Sequence, residues 1–145
     1  RELHRSVAEW YERAYSENLS PHYPLLVFHW NRAEHVEYEC RYCQLTGQQA
    51  AGQYANLEAE MYLTRALQLL DQMGEDACSE RRFDVLQQRA HVHAILGRVD
   101  EERSDLEMLL AIAEASEEAS KRGEVLVGWA DLHNRCGQFE QALKW

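Results

Sequence analysis

Valine, isoleucine and threonine together supply only 12 of the 145 residues. These β-branched types are enriched in strands, so a sandwich, a barrel and a doubly wound parallel sheet are not expected. Two prolines and seven glycines leave little to punctuate the turns of such folds. Lysine is also scarce, at two of 15 basic residues, against 25 acidic ones and a net charge of −10. Without a basic stripe, nucleic-acid binding driven by counterion release is not expected. No apolar run nears the roughly 20 residues of a membrane helix. Arg1-Glu2-Leu3-His4-Arg5 holds no hydrophobic segment of a signal peptide. An initiator methionine is missing and Trp145 closes the chain in mid-pattern, so the expectation is a fragment of a longer cytoplasmic protein.

Helix formers are abundant. Alanine, leucine, glutamate, glutamine and arginine make up 77 of the 145 residues, and 46% of the chain is hydrophobic, enough for a core. Apolar residues recur at helical spacing. Leu3, Val7, Trp10 and Ala14 form one stripe. Ser20-Pro21 reads as an N-cap with proline in the first turn, ahead of Leu25, Leu26, His29, Trp30 and Ala33. Val36, Cys40, Cys43, Gly47 and Ala50 mark a third helix; Ala59, Tyr62, Leu63, Ala66, Leu70 and Met73 mark a fourth. The polar stretch from Gly74 to Ser79 reads as a loop. The expected fold is all-α, about eight helices in antiparallel pairs.

The second half repeats. Leu86, Ala90, His93 and Gly97 recur 40 residues later as Leu126, Ala130, His133 and Gly137. Gly52-Gln53-Tyr54 followed by Ala59 offers a weaker third copy. Each glycine can take the left-handed conformation that ends a helix, and the small alanines permit close helix approach. A lone helix pair cannot bury both apolar faces, so such pairs stack into an α-solenoid. Gly137-Gln138-Phe139 with Ala142 resembles the tetratricopeptide repeat, as does Gly52-Gln53-Tyr54. Gly97-Arg98-Val99 fits only in part, because Glu102 occupies the small-residue position.

Leu3-His4-Arg5, Val7-Ala8-Glu9-Trp10, Leu19-Ser20-Pro21, Tyr23-Pro24-Leu25-Leu26 and His29-Trp30 are similar to a segment of large bacterial signalling proteins. In that family it follows an ATPase module, often headed by an adenylate or guanylate cyclase domain, and leads into tetratricopeptide repeats. The resemblance implies a helical segment over 1–33 and repeats over 34–145, packed as one continuous solenoid. It places any catalytic chemistry upstream of Arg1. Cys40, Cys43 and Gly47-Gln48-Gln49 depart from its pattern.

Cys40-x-x-Cys43 with His35, and Cys78 or His29 as a fourth group, has the residue types of a zinc site. On a helix these thiols sit at i and i+3 of the apolar stripe, where cysteine packs as a small hydrophobe. All four cysteines, Cys136 included, are expected reduced and metal-free, with loop residue Cys78 the most reactive. His93 and His133 share one repeat position and are read as packing, while His91 lies on the opposite side. Gly123 to Gly128 has a phosphate-loop spacing but Trp129-Ala130 where lysine and a hydroxyl are needed. Glu101-Glu102 and Glu117-Glu118 are adjacent, point apart and are expected to be solvated. Most of Trp10, Tyr11, Trp30, Tyr38, Tyr42, Tyr54, Tyr62 and Trp129 are expected in the core or between repeats. No catalytic, cofactor-binding or metal residue is assigned.

The faces left over carry Asp84, Gln87, His91 and Ala94, then Glu124, Val127, Asp131 and Asn134. Each set runs as a stripe away from the core and mixes acids, amides and one histidine. The expected function is a non-catalytic interaction and regulatory module. Its partner is a basic or polar peptide segment, with the parent protein as one source. A structural linker or oligomerisation segment, dimerising through the C-terminal end, is the alternative, and a metal-dependent site at Cys40 and Cys43 a third.

Overall fold

A computed structural model describes residues 1–74, 79–116 and 118–137. Helix α1 spans Glu2–Ala14; a 3-10 turn, Ser20–His22, leads into α2, Tyr23–Arg32. Then follow α3 (Val36–Gly52), α4 (Asn56–Met73), α5 (Ser79–Leu96), α6 (Val99–Ala115) and α7 (Ala119–Arg135). Among the described residues there are seven α-helices and no strand. The further helix expected around Phe139 and Ala142 lies outside the described residues, as do Cys78 and Glu117. No described helix is long and apolar enough to cross a membrane. The chain forms two compact units, Arg1–Val85 and Leu86–Trp145, with the boundary inside α5.

In the first unit α1 packs on α2, α2 on α3 and α3 on α4. Ala8, Leu26, Trp30 and Tyr42 form a buried cluster, with Tyr11, Tyr23 and Tyr38 against it. Glu12 of α1 ties the three helices together, accepting from Trp30 Nε1 at 3.3 Å and Tyr42 Oη at 2.6 Å. Bonds from two helices onto one carboxylate fix their relative rotation. The Leu3–Val7–Trp10–Ala14 stripe is not the packing face: Leu3 and Trp10 are exposed and only Ala8 of α1 is fully buried. The short α2 meets α1 along His4, Ala8 and Tyr11 instead, with His4 Nδ1 lying 2.9 Å from His29 Nδ1. The α3–α4 contact is tight at Gly47, where a Cβ would sit 2.8 Å from Leu63 Cγ.

In the second unit α6 packs on α7. Arg89 of α5 grips Asp105 of α6 with two bonds, Nε to Oδ2 at 3.0 Å and Nη2 to Oδ1. Nδ1 of His93 lies 3.0 Å from the same Oδ2. Leu106, Leu109, Val125, Trp129 and Leu132 are buried in this unit. His133 stacks on Trp129, so the two repeated histidines are both buried but have different neighbours.

One turn recurs three times. Glu34, Tyr54 and Gly97 each adopt positive φ, at 59°, 61° and 69°. In each case the next residue's N–H reaches five residues back: His35 to Trp30, Ala55 to Ala50, Arg98 to His93. This closes the helix with a left-handed residue and starts the next one after a single extended residue. The chain therefore reverses within two residues. Gly137 also has positive φ. The third copy of the repeat is thus shifted by two from its expected register: Gly52 is the last residue of α3, and Tyr54 is the left-handed one. In the corrected register Gly47 aligns with Ala90 and Ala130, and Ala59, fully buried, takes the small-residue position.

Candidate functional site

Seven of the eight residues of the expected binding stripe, all but Asp84, line one groove of about 380 Å³ in the second unit. Gln87, His91 and Ala94 stand on the α5 wall; Glu124, Val127, Asp131 and Asn134 stand on the α7 wall. They converge because each runs at i, i+3 or i+4 intervals along a helix flanking the same floor. Asp84 is exposed but does not line the groove. Gln87 Nε2 donates to Glu124 Oε2 at 2.9 Å across one end. Val127 is 62% exposed and offers an apolar spot on an otherwise polar wall.

The floor is helix α6: Glu102, Leu106 and Leu109, all buried. Glu102 was expected in solvent and is only 4% exposed. Its position five residues after the left-handed Gly97 turns it inward, under α7, and not outward with Glu101. Arg135 of α7 donates from Nη2 to Glu102 Oε1, and its Nη1 lies 3.5 Å from the Ala94 carbonyl oxygen. Glu102 Oε2 is buried and has no hydrogen-bond partner among the described residues. The pattern of adjacent carboxylates gave no sign of this, because the partner is 33 residues away.

The first unit holds a groove of the same construction, about 750 Å³, with α2 and α4 as walls and α3 as floor. Pro24, Val27, Phe28, Asn31, Glu39 and Cys43 line it. Each has its counterpart 63 positions on, as Gln87, Ala90, His91, Ala94, Glu102 and Leu106 in the other groove. Glu39 is buried as Glu102 is, but its Oε1 receives both Arg65 Nε at 2.8 Å and Asn31 Nδ2 at 3.0 Å. The walls are more apolar, with Phe28, Leu57 and Met61 exposed.

The two thiols singled out in the sequence lie in this first unit, both fully buried on α3. Cys40 Sγ lies 3.6 Å from the Ala66 carbonyl oxygen. Burial, aided by the Glu39 charge, pushes the Cys43 thiol up to about 12. His35 does not join them; its ring stands edge-on to Trp30 and Tyr38. Among the described residues, no three His, Cys, Asp or Glu side chains are placed to hold a metal ion. Of the aromatics, Trp30, Tyr42 and Trp129 are buried, whereas Trp10 and Tyr54 are exposed and pack in no core.

Comparison with known proteins brings no match: no family model, no curated protein and no solved structure matches the chain.

Proposed function

We propose that the chain is a non-catalytic protein–protein interaction module of a larger cytoplasmic signalling protein, and that the α5–α7 groove takes a peptide segment of its partner. In this reading the helix pairs stack as a tetratricopeptide-like solenoid and the parent is of the cyclase–ATPase type. One observation carries the interaction reading: the outward stripes of α5 and α7 line a single groove with a buried charged floor. The recurrence of one turn at Glu34, Tyr54 and Gly97 supports repeated helix pairs. Close approach at Gly47 against Leu63 and Ala59 supports the tetratricopeptide resemblance, which needs small residues there.

The groove walls carry Glu124 and Asp131, so a basic or polar segment complements them. The double substitution Glu124→Lys with Asp131→Lys tests this. Both side chains are exposed, so helicity by circular dichroism is expected to be unchanged. Partner recovery from extract of the native cell is expected to fall and to change its salt dependence. Recovery of the same partners at equal yield would refute the groove assignment.

A further inference from the structure

Two rows of apolar side chains stand open to solvent in the first unit, and their shapes are opposite. Leu3, Val7 and Trp10 form a ridge along α1, with Leu3 74% and Trp10 51% exposed and Val7 half-buried. Phe28 of α2, with Leu57 and Met61 of α4, stands on the walls of the groove of about 750 Å³ above α3. Leu57 and Met61 are 64% and 60% exposed. Apolar residues scattered singly over a surface are ordinary, whereas contiguous rows mark an interaction surface. A ridge at i, i+4 and i+7 is the form in which a helix enters an apolar groove.

Both rows are exposed, so the ridge does not fill the groove of its own chain. Helix α1 is also tied down, by the bonds of Trp30 and Tyr42 to Glu12 and by the His4–His29 contact. Trp10 is held edge-on to Tyr11 at 5.1 Å and to Tyr15 at 5.9 Å, which presents its ring as an ordered anchor. Charge matches as well. Arg13, one turn beyond Trp10, has no ion-pair partner among the described residues. In the groove, Glu39 and Glu60 against Arg65 leave one negative charge in excess.

We propose that the α2–α4 groove of one copy takes the Leu3–Val7–Trp10 ridge of a second copy. Both halves of the contact are on one chain, and this selects a second copy as the occupant. Trp10 lies against Leu57 and Met61, where the unbranched thioether adapts to the indole. Arg13 comes beside Glu60. Each copy offers one ridge and one groove, so an exchange between two copies closes a pair.

Sedimentation velocity of the chain at up to about 100 μM, where weak interfaces are populated, is expected to show a species of two chains. Trp10→Glu removes the ridge and Met61→Glu removes the groove. Each sets a charge inside the contact and is expected to weaken self-association at least about tenfold. Both residues are exposed, so helicity by circular dichroism is expected to hold. Leu3→Glu repeats the ridge test should Trp10→Glu lose helicity. The decisive sample is an equal mixture of the two variants. One brings an intact groove and the other an intact ridge, so a one-to-one pair is expected to return while each variant alone stays monomeric. A chain that is monomeric throughout would overturn the inference. Self-association that survives either substitution would also overturn it, because the contact would then lie on another face. Variants that remain monomeric when mixed would do the same, since ridge and groove would not be each other's partners.

Discussion

Arg89 holds Asp105 through two parallel bonds, and the carboxylate is only 1% exposed. The pair pins α5 to α6, and His93 closes on one of the same oxygens. Removing one partner strands a buried charge, which costs far more than the intact pair contributes. Asp105→Ala is therefore expected to destabilise the fold by about 3–5 kcal/mol, read from urea unfolding. A loss below about 1 kcal/mol, the range of surface ion pairs, would show that the pair is solvated.

Gly47 and Tyr54 make opposite predictions. A Cβ at Gly47 meets Leu63 Cγ at 2.8 Å and Cδ2 at 2.9 Å, and Leu63 is fully buried with nowhere to retreat. Overpacking of this kind costs about 1–3 kcal/mol and outweighs the roughly 1 kcal/mol that alanine gains over glycine in a helix. Gly47→Ala is expected to lower the melting temperature. Tyr54 holds φ at 61° and is 88% exposed, so it carries left-handed strain and loses little contact when removed. Tyr54→Gly is expected to gain up to about 1 kcal/mol. A fall in melting temperature for that variant would contradict the turn geometry.

Protonation of the His4–His29 contact is expected to weaken the first unit. Burial, and the neighbouring His4, lower the pKa of His29 from its ordinary 6.5. The unfolded chain then binds the proton more readily than the folded one, so stability falls as pH drops through about 6.5 and levels off below the folded value. Melting temperatures between about pH 7.5 and 5.5 check this. His29→Gln is expected to flatten the decline; an unchanged slope would remove His29 from it.

Thiol labelling should divide the cysteines. Cys136 is exposed, whereas Cys40 and Cys43 are buried and the Cys43 thiol is held far from ionisation. Iodoacetamide followed by peptide mass mapping is expected to mark Cys136 within minutes and the α3 pair only on unfolding. Rapid labelling of Cys43 in the folded chain would contradict its burial.

The helices were legible because their apolar spacing is local, and so was the outward stripe that lines the α5–α7 groove. Gly97 announced its turn, since glycine is the residue that takes a left-handed conformation without strain. Glu34 and Tyr54 take the same conformation with a Cβ, so nothing in their identity marked the equivalent turns, and Gly52 drew the third copy two residues out of register. Trp10 looked like core because it falls on a helical stripe, but α1 turns Ala8 and Tyr11 inward. Glu102 looked like a misfit in the repeat. Its burial depends on Arg135, a contact across helices that no spacing along the chain encodes.

The central claim is that a peptide segment lies between α5 and α7. Amide shifts of the isotope-labelled chain, followed while a pool of arginine-containing heptapeptides is added, test it most directly. The account expects the largest changes at Gln87, His91, Val127 and Asp131, which line the groove, and little change at Met108, which is exposed on α6 and does not. Shifts that are absent, or that spread evenly over the exposed faces of all the helices, would contradict it.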